Sequence, residues 1–366
     1  MRRALAKGGR VVLKVGSSSL TGSRGGLDPA AVTSVVEHVT LLRSEGHPTV
    51  LVTSGAIAAG LPALGLEERP NDVPGLQVAA AVGQGRLMER YSNGFDEEGI
   101  IAGQVLLTRD VLANREQYLH AREALDRMLD LGVVPVVNEN DTVVVDELKL
   151  GDNDRLGSIV SHLVGASMLI ILTDTAGLYS ADPRVEENAE LLSAVRDTDR
   201  ILDELRVSAG RGSLGRGGAA TKVSAARMAA FSGIPTVIAP AERDGVVLAA
   251  VRGEEVGTWV NPRAARLSAR KLWIAFGLPS EGTVTIDEGA KKAVTERGRS
   301  LLAAGVTAVA GEFGTGEAIE VLDAGGGLVA KGRSGLNATQ LRSTLGEHSS
   351  VVGGEAIHRD DLVVLI

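Results

Sequence analysis

The stretch MLIILTDTAG, residues 168–177, runs through six apolar or β-branched residues and then turns abruptly to small and polar ones. An apolar run without alternation is typical of a strand buried on both faces, as in a parallel sheet covered by helices. Similar runs recur along the chain, with helical patterns between them. The predicted strands are 11–15, 49–53, 133–137, 168–173 and 235–239, and the predicted helices are 28–45, 76–92, 114–131, 154–165 and 219–232. This alternation predicts an α/β fold, a three-layer α/β/α sandwich around a mostly parallel sheet.

The composition of the 366-residue chain excludes several classes of function. Zero cysteines exclude disulfides, thiolate zinc sites and cysteine nucleophiles. Aromatic residues make up only 2% and the net charge is −8, which disfavours binding of nucleic acids. No apolar run approaches the roughly 18 residues that a membrane span needs. Lys14 interrupts the short apolar stretch near the N-terminus, so we expect no signal peptide and a cytoplasmic protein.

The character of the sequence changes near residue 262. Up to that point the strand and helix patterns predict one α/β domain, residues 1–262, and the basic stretch 263–276 is interpreted as a linker. Beyond it, short strand-like pieces alternate with Gly-rich turns, which predicts a small β-rich domain over residues 277–366.

Small and polar residues follow each predicted strand of the first domain. They are GSSS at 16–19, SGA at 54–56, NEND at 138–141 and DTAG at 174–177. A Gly-rich loop at 207–218 also precedes the helix that carries Lys222. Ligands of such sheets bind beyond the carboxyl ends of the strands, so we expect a site where these loops meet.

The acidic stretch 138–158, with GDND at 151–154, allows three interpretations. A calcium loop is disfavoured because Leu156 occupies the next ligand position. A solvated turn that caps the following helix suits Asp152, Asn153 and Asp154. A site for a charged small molecule suits them equally, and the residue pattern alone leaves these two open.

Two lysines favour the interpretation that the site binds an anion. Lys14 within an apolar strand is costly unless its ammonium meets an anion, and Gly16 leaves room for one; the alternative is a lysine that reaches solvent from the strand end. Lys222 follows a loop whose amides could hold phosphate, although that loop could also be an ordinary surface loop. Lysines, amide loops and carboxylates at one edge suit phosphoryl transfer, which relies on positioning and charge neutralisation. None of the histidines lies in these loops, so nothing supports a histidine-based nucleophilic mechanism.

These loops resemble those of the glutamate 5-kinases in the amino-acid kinase family. The matching segments are VVLKVGSS (11–18), VTSGAIAAG (52–60), VVNEND (136–141), GDND (151–154) and LTDTAGLYSADPR (172–184). The last segment is shared across the whole family and indicates the fold, whereas SGAIAAG, NENDT and GDND are more specific. The C-terminal residues resemble a PUA domain.

The resemblance implies an eight-stranded sheet and the ATP-dependent phosphorylation of the γ-carboxylate of L-glutamate, the first step of proline biosynthesis. It also implies Mg²⁺ with the ATP, feedback inhibition by proline and a homo-oligomer. The implied catalytic residues are Lys14, Lys222 and Asp154, and those implied to bind glutamate are Ser54, Asp141, Asn153 and Asn138. The implied nucleotide-binding residues are Lys14, Thr173, Asp174, Arg216, Gly217, Gly218, Ala219, Ala220, Thr221 and Lys222. No residue is assigned as a metal ligand.

Two other functions compete with this interpretation. One is a kinase of the same fold that acts on aspartate, acetylglutamate, a nucleotide or carbamate, against which the SGAIAAG and NENDT loops argue. The other is an RNA-binding protein that acts through the C-terminal domain. Residues 275–366 contain 8 Lys and Arg against 12 Asp and Glu, and RNA affinity depends on positive charge, so this function is disfavoured.

Overall fold

The computed structural model describes most of the chain, and its residues form two compact units, Met1–Arg266 and Leu267–Ile366. The division lies within the predicted linker 263–276. The described residues are 2–22, 25–108, 111, 114–143, 153–183, 185–186, 188–196, 199, 218–264, 266–345 and 354–366.

A large sheet forms the centre of the first unit. Over the described residues it has eight strands in the order β3-β4-β2-β1-β5-β7-β8-β6. Neighbouring strands are parallel, except that β7 and β8 are antiparallel. The strands are β1 (Val11–Val15), β2 (Thr49–Val52), β3 (Ala102–Leu107), β4 (Val134–Glu139), β5 (Met168–Thr173), β6 (Ala194–Arg196), β7 (Thr236–Pro240) and β8 (Thr258–Asn261). The predicted α/β fold with a mostly parallel sheet is confirmed.

Helices connect these strands, and their sequences explain where several of them begin. The helices are α1 (Pro29–Ser44), α2 (Ala56–Gly60), α3 (Val73–Glu97), α4 (Arg115–Asp130), α5 (Asn153–Leu163), α6 (Gly218–Phe231) and α7 (Val246–Val251). Asp28, Asp72 and Asn114 each precede a helix and accept hydrogen bonds from amides of its first turn. The five helices and five strands predicted from the sequence are all present, with ends shifted by a few residues. In the part of the chain that the structure describes, no helix is both long and apolar enough to cross a membrane.

Helices α2 and α3 pack backbone against backbone. A Cβ atom added to Gly60 would lie 2.0 Å from the carbonyl oxygen of Ala79, and one added to Gly83 would lie 1.8 Å from that of Ala56. Any side chain at either position would therefore force the two helices apart. This contact fixes the segment after β2, which carries Ser54, against the long helix α3.

The second unit has its own sheet and its own core. Its strands are β9 (Gly282–Ile286), β10 (Leu301–Leu302), β11 (Val306–Gly311), β12 (Ala318–Leu322), β13 (Leu328–Arg333), β14 (Glu355–Ile357) and β15 (Leu362–Val364). Its helices are α8 (Ala269–Leu272), α9 (Glu288–Thr295) and α10 (Ala338–Ser343). Strands β11-β9-β12-β13-β15 form one sheet, while β10 pairs with β14. Val284, Ile319 and Leu341 belong to an apolar cluster confined to this unit, so the predicted β-rich domain is confirmed.

Candidate active site

The candidate site lies at the carboxyl edge of four adjacent strands. The order β4-β2-β1-β5 places the ends of these strands side by side. Lys14 is in β1, Ser54 follows β2, Asn138 is in β4 and Thr173 ends β5. Four residues predicted from separate segments of the chain therefore share one edge of the sheet, where ligands of open α/β sheets bind.

Lys14 is buried and paired with Asp154. The two residues are only 3% and 4% exposed, and the Lys14 ammonium forms an ion pair with Oδ1 of Asp154. A Cβ on Gly16 would lie 3.3 Å from Nζ of Lys14, so the glycine leaves the lysine head uncrowded. The alternative in which Lys14 reaches solvent is wrong.

The solvated-turn interpretation is also wrong for Asn153 and Asp154, which are buried; Gly151 and Asp152 lie outside the described residues.

Asp154 remains ionised in spite of its burial. Burial alone would raise the pKa of this carboxyl group, whereas the charges of Lys14 and Lys222 lower it. Hydrogen bonds from Lys14 and Thr221 act in the same direction, and the pKa of Asp154 lies below its ordinary value. One carboxylate thus holds a lysine of β1 and responds to a second lysine on α6.

Lys222 and its neighbours begin α6. The Lys222 ammonium donates to the carbonyl oxygen of Gly218 at 3.0 Å, within the first turn of the helix. Ala219, Ala220 and Thr221 share that turn, so the described part of the predicted nucleotide loop is gathered at one helix end. Arg216 and Gly217, also predicted to bind nucleotide, lie outside the described residues.

The end of β5 carries the other predicted nucleotide residues. Thr173 is buried, and its hydroxyl donates to Oδ1 of Asp174 at 3.0 Å. The strand is the direct neighbour of β1, so both residues are placed beside the strand that carries Lys14.

The predicted substrate residues form a buried hydrogen-bonded cluster. Nδ2 of Asn153 lies 2.7 Å from the carbonyl oxygen of Thr53, 3.0 Å from Oγ of Ser54 and 2.8 Å from Oδ1 of Asn138. The structure therefore brings Ser54, Asn138 and Asn153 together from three separate segments of the chain. Asp141 lies two residues beyond β4 at the same edge of the sheet and is partly exposed.

Two residues of α3 complete this cluster, and sequence reasoning missed both. Oε1 of Gln84 accepts a hydrogen bond of 2.8 Å from Nδ2 of Asn138. The hydroxyl groups of Tyr91 and Thr53 lie 2.8 Å apart. Gln84 and Tyr91 are seven residues apart and so lie on one face of the helix. That spacing of two polar groups on one face of the helix is the signal in the sequence that could have found them.

The described residues hold no group of three or more His, Asp and Glu side chains that could bind a metal ion. The site contains a buried carboxylate that is paired with one ammonium group and senses the charge of a second, next to a cluster of amide and hydroxyl groups. This arrangement can stabilise a highly charged anion at one end and orient a small polar ligand at the other.

The sequence of the chain is similar to that of known protein families and of individual known proteins. Residues 9–240 match the Amino acid kinase family, and residues 282–352 match the PUA domain. The chain is 45% identical over 373 residues to the glutamate 5-kinase of Marinomonas sp. (strain MWYL1), and the match covers 100% of both chains. It is 43% identical over 375 residues to the glutamate 5-kinase of Pelobacter propionicus, again over 100% of both. The glutamate 5-kinase of Janthinobacterium sp. (strain Marseille) is 45% identical over 97% of this chain and 98% of its own.

Proposed function

Because this chain belongs to the amino acid kinase family, and within it to the glutamate 5-kinases, we propose that it phosphorylates L-glutamate. The terminal phosphoryl group of ATP passes to the γ-carboxylate, which gives glutamyl 5-phosphate and ADP. The observation that carries the proposal is the buried pair of Lys14 and Asp154, with Lys222 close enough to lower the same carboxyl pKa. We place the reaction in the cytoplasm, as the first step of proline biosynthesis.

The proposed nucleophile explains why the site needs no general base. A γ-carboxyl group has an ordinary pKa of about 4.3, so it is already ionised at neutral pH. The difficulty of the reaction is that this anion must approach a triphosphate. Lys14 and Lys222 supply the positive charge that offsets the repulsion, and charges act strongly in a site from which water is excluded. Asp154 sets the position of the lysines.

We assign the amide and hydroxyl cluster to glutamate. Ser54, Asp141 and Asn153 bind the amino acid, supported by Asn138. The nucleotide is assigned to Lys14, Thr173, Asp174 and the segment Arg216–Lys222, which comprises Arg216, Gly217, Gly218, Ala219, Ala220, Thr221 and Lys222. Mg²⁺ bound to the ATP would supply further positive charge to the phosphates, and no residue of this chain is assigned as its ligand.

Regulation and assembly follow the same proposal. We expect proline, the end product, to inhibit the enzyme, and we expect the chain to form a homo-oligomer. Inhibition is measured by titrating proline into the glutamate assay, and the assembly by light scattering of the purified chain.

Trapping of the acyl phosphate tests the proposed reaction. The full chain is incubated with ATP, Mg²⁺, hydroxylamine and one acid from a panel of glutamate, aspartate, acetylglutamate and carbamate. We expect a hydroxamate and matching ADP release with glutamate. A product with another acid only would assign the chain to a different activity of the same fold, and no product with glutamate would contradict the proposal.

A further inference from the structure

We propose that Gln84 is a positioning residue of the glutamate site. It holds the Asn138 amide in place, and Asn138 in turn holds Asn153, whose oxygen faces the α-ammonium group of the substrate. The inference deepens the proposed function and rests on the assignment of this cluster to glutamate.

The orientation of Asn153 is imposed by the main chain. The two ends of an amide side chain have the same shape but opposite hydrogen-bonding character. The Thr53 carbonyl can only accept, and it lies 2.7 Å from one end of Asn153, which must therefore be Nδ2. Oγ of Ser54 lies 3.0 Å from the same nitrogen. The group that Asn153 has left for a ligand is its oxygen, which suits an ammonium donor.

The orientation of Asn138 is imposed in the same way. The Glu139 amide can only donate, and it lies 2.9 Å from Oδ1 of Asn138. Nδ2 of Asn153 donates to the same oxygen at 2.8 Å. A carbonyl oxygen has two lone pairs, so Oδ1 of Asn138 is fully used. Asn138 therefore supports Asn153 and does not itself accept from the substrate ammonium.

Gln84 completes this chain of amides. Nδ2 of Asn138 donates to Oε1 of Gln84 at 2.8 Å, which turns Nε2 of Gln84 the other way. That nitrogen is buried and, over the described residues, has no hydrogen-bond partner. Turning the Gln84 amide over would place two NH₂ groups face to face, so the contact with Asn138 decides its orientation. An unpaired buried donor costs free energy, and such a group calls for a functional explanation.

Substitution of Gln84 by Met tests the proposal through two ligands that differ only in the α-ammonium group. Glutamate is the substrate, and glutarate is measured as a competitive inhibitor. Loss of one neutral hydrogen bond predicts a rise of about fivefold in KM for glutamate, with kcat and the glutarate inhibition constant within about twofold. An equal rise for both ligands would show a general loss of packing and overturn the proposal, as would no rise at all.

A double-mutant cycle tests the route through Asn138. In an Asn138→Ala background, Gln84→Met is expected to change KM for glutamate by less than about twofold, because the partner through which it acts is gone. The full fivefold effect in that background would overturn the proposal. If Asn138→Ala does not fold, the proposal is tested by the comparison of glutamate with glutarate alone, because that comparison needs only the Gln84→Met variant.

The matched control is Gln117→Met, the same chemical change at an exposed glutamine of α4. We expect it to leave both KM for glutamate and the inhibition constant of glutarate unchanged. The wild-type trapping assay is run first. Absence of a glutamate product there is a failure of the proposed function. An active wild type with an unaffected Gln84→Met variant is a failure of this inference alone.

Discussion

The hydroxyl of Thr221 donates a hydrogen bond of 2.8 Å to Oδ2 of Asp154, and this bond joins the first turn of α6 to the first turn of α5. The other carboxylate oxygen faces Lys14. One carboxylate therefore ties the helix that carries Lys222 to the strand that carries Lys14. The relative position of the two lysines depends on this link.

Removal of that hydroxyl is expected to slow turnover. Thr221→Val keeps the shape of the side chain but deletes a hydrogen bond to a charged group, which is worth about 1.5–3 kcal/mol. We expect kcat to fall by about tenfold or more, with KM for glutamate nearly unchanged, in steady-state assays of the purified variant. Thr221→Ser retains the hydroxyl and serves as the control. An effect on KM alone would show that the bond does not act on the transition state.

Loss of the Lys222 ammonium is expected to be much more severe. Removal of one group that stabilises transition-state charge costs about 2.7–4 kcal/mol, so Lys222→Ala should lower kcat by at least about a hundredfold. Glutamate binding should weaken far less, as measured by calorimetry. Lys292→Ala, at an exposed lysine of α9, is the control. Equal losses of turnover and binding would contradict the role of Lys222 in the transition state.

Two glycines of α3 offer a matched test of the contact between α2 and α3. An alanine Cβ at position 83 would meet the Ala56 carbonyl oxygen at 1.8 Å, whereas at Gly85 nothing lies within 4 Å. We expect Gly83→Ala to lower the free energy of unfolding by about 3 kcal/mol, since overpacking costs about 1–3 kcal/mol and occasionally more. The same change at Gly85 should stabilise the helix by up to about 1 kcal/mol. Urea titration measures both, and a similar response at the two sites would refute the close packing.

The buried imidazole of His162 on α5 is expected to make the folded chain less stable in mild acid. Burial, aided by the charges of Arg122 and Arg266, lowers its pKa from 6.5 to about 4. The unfolded chain therefore binds a proton at this site before the folded chain does. Stability is unaffected above about pH 6.5 and is lost as the pH falls toward 4, by about 3 kcal/mol at most.

Urea titrations at several pH values test this prediction with His162→Gln, which should flatten the decline between pH 6.5 and 4. His120→Gln, at an exposed histidine of α4, is the control for loss of an imidazole. An unchanged slope in the His162 variant would show that other groups cause the decline.

The parts of the fold that the sequence predicts are those that local patterns specify. Apolar runs mark β1 and β5, and a capping residue marks the start of α1. Strand β3 was not predicted, because its residues are only half buried and include Gly103 and Gln104. The short β8 was not predicted either, since four residues give too little pattern to read.

The residues of the candidate site likewise fall into those that local sequence patterns identify and those that they do not. Lys14 was identified because a charge inside an apolar strand needs an explanation, and Asp154 because of its motif. Gln84 lies 54 residues from Asn138, and Tyr91 lies 38 residues from Thr53. Those contacts depend on how α3 is rotated against the strand ends, which tertiary packing sets and no local pattern encodes. The proposed roles of Arg216 and Gly217 stay predictions.

The polarity of the substrate cluster also limits how its specificity can be redesigned. The carbonyl of Thr53 and the amide of Glu139, which orient Asn153 and Asn138, belong to the main chain. Substitution of those two residues would leave both groups in place. A variant that prefers an acid without the amine would therefore need Asn153 itself replaced, or the loop after β2 rebuilt. We expect laboratory evolution toward such acids to favour insertions and deletions in that loop over changes of single side chains around it.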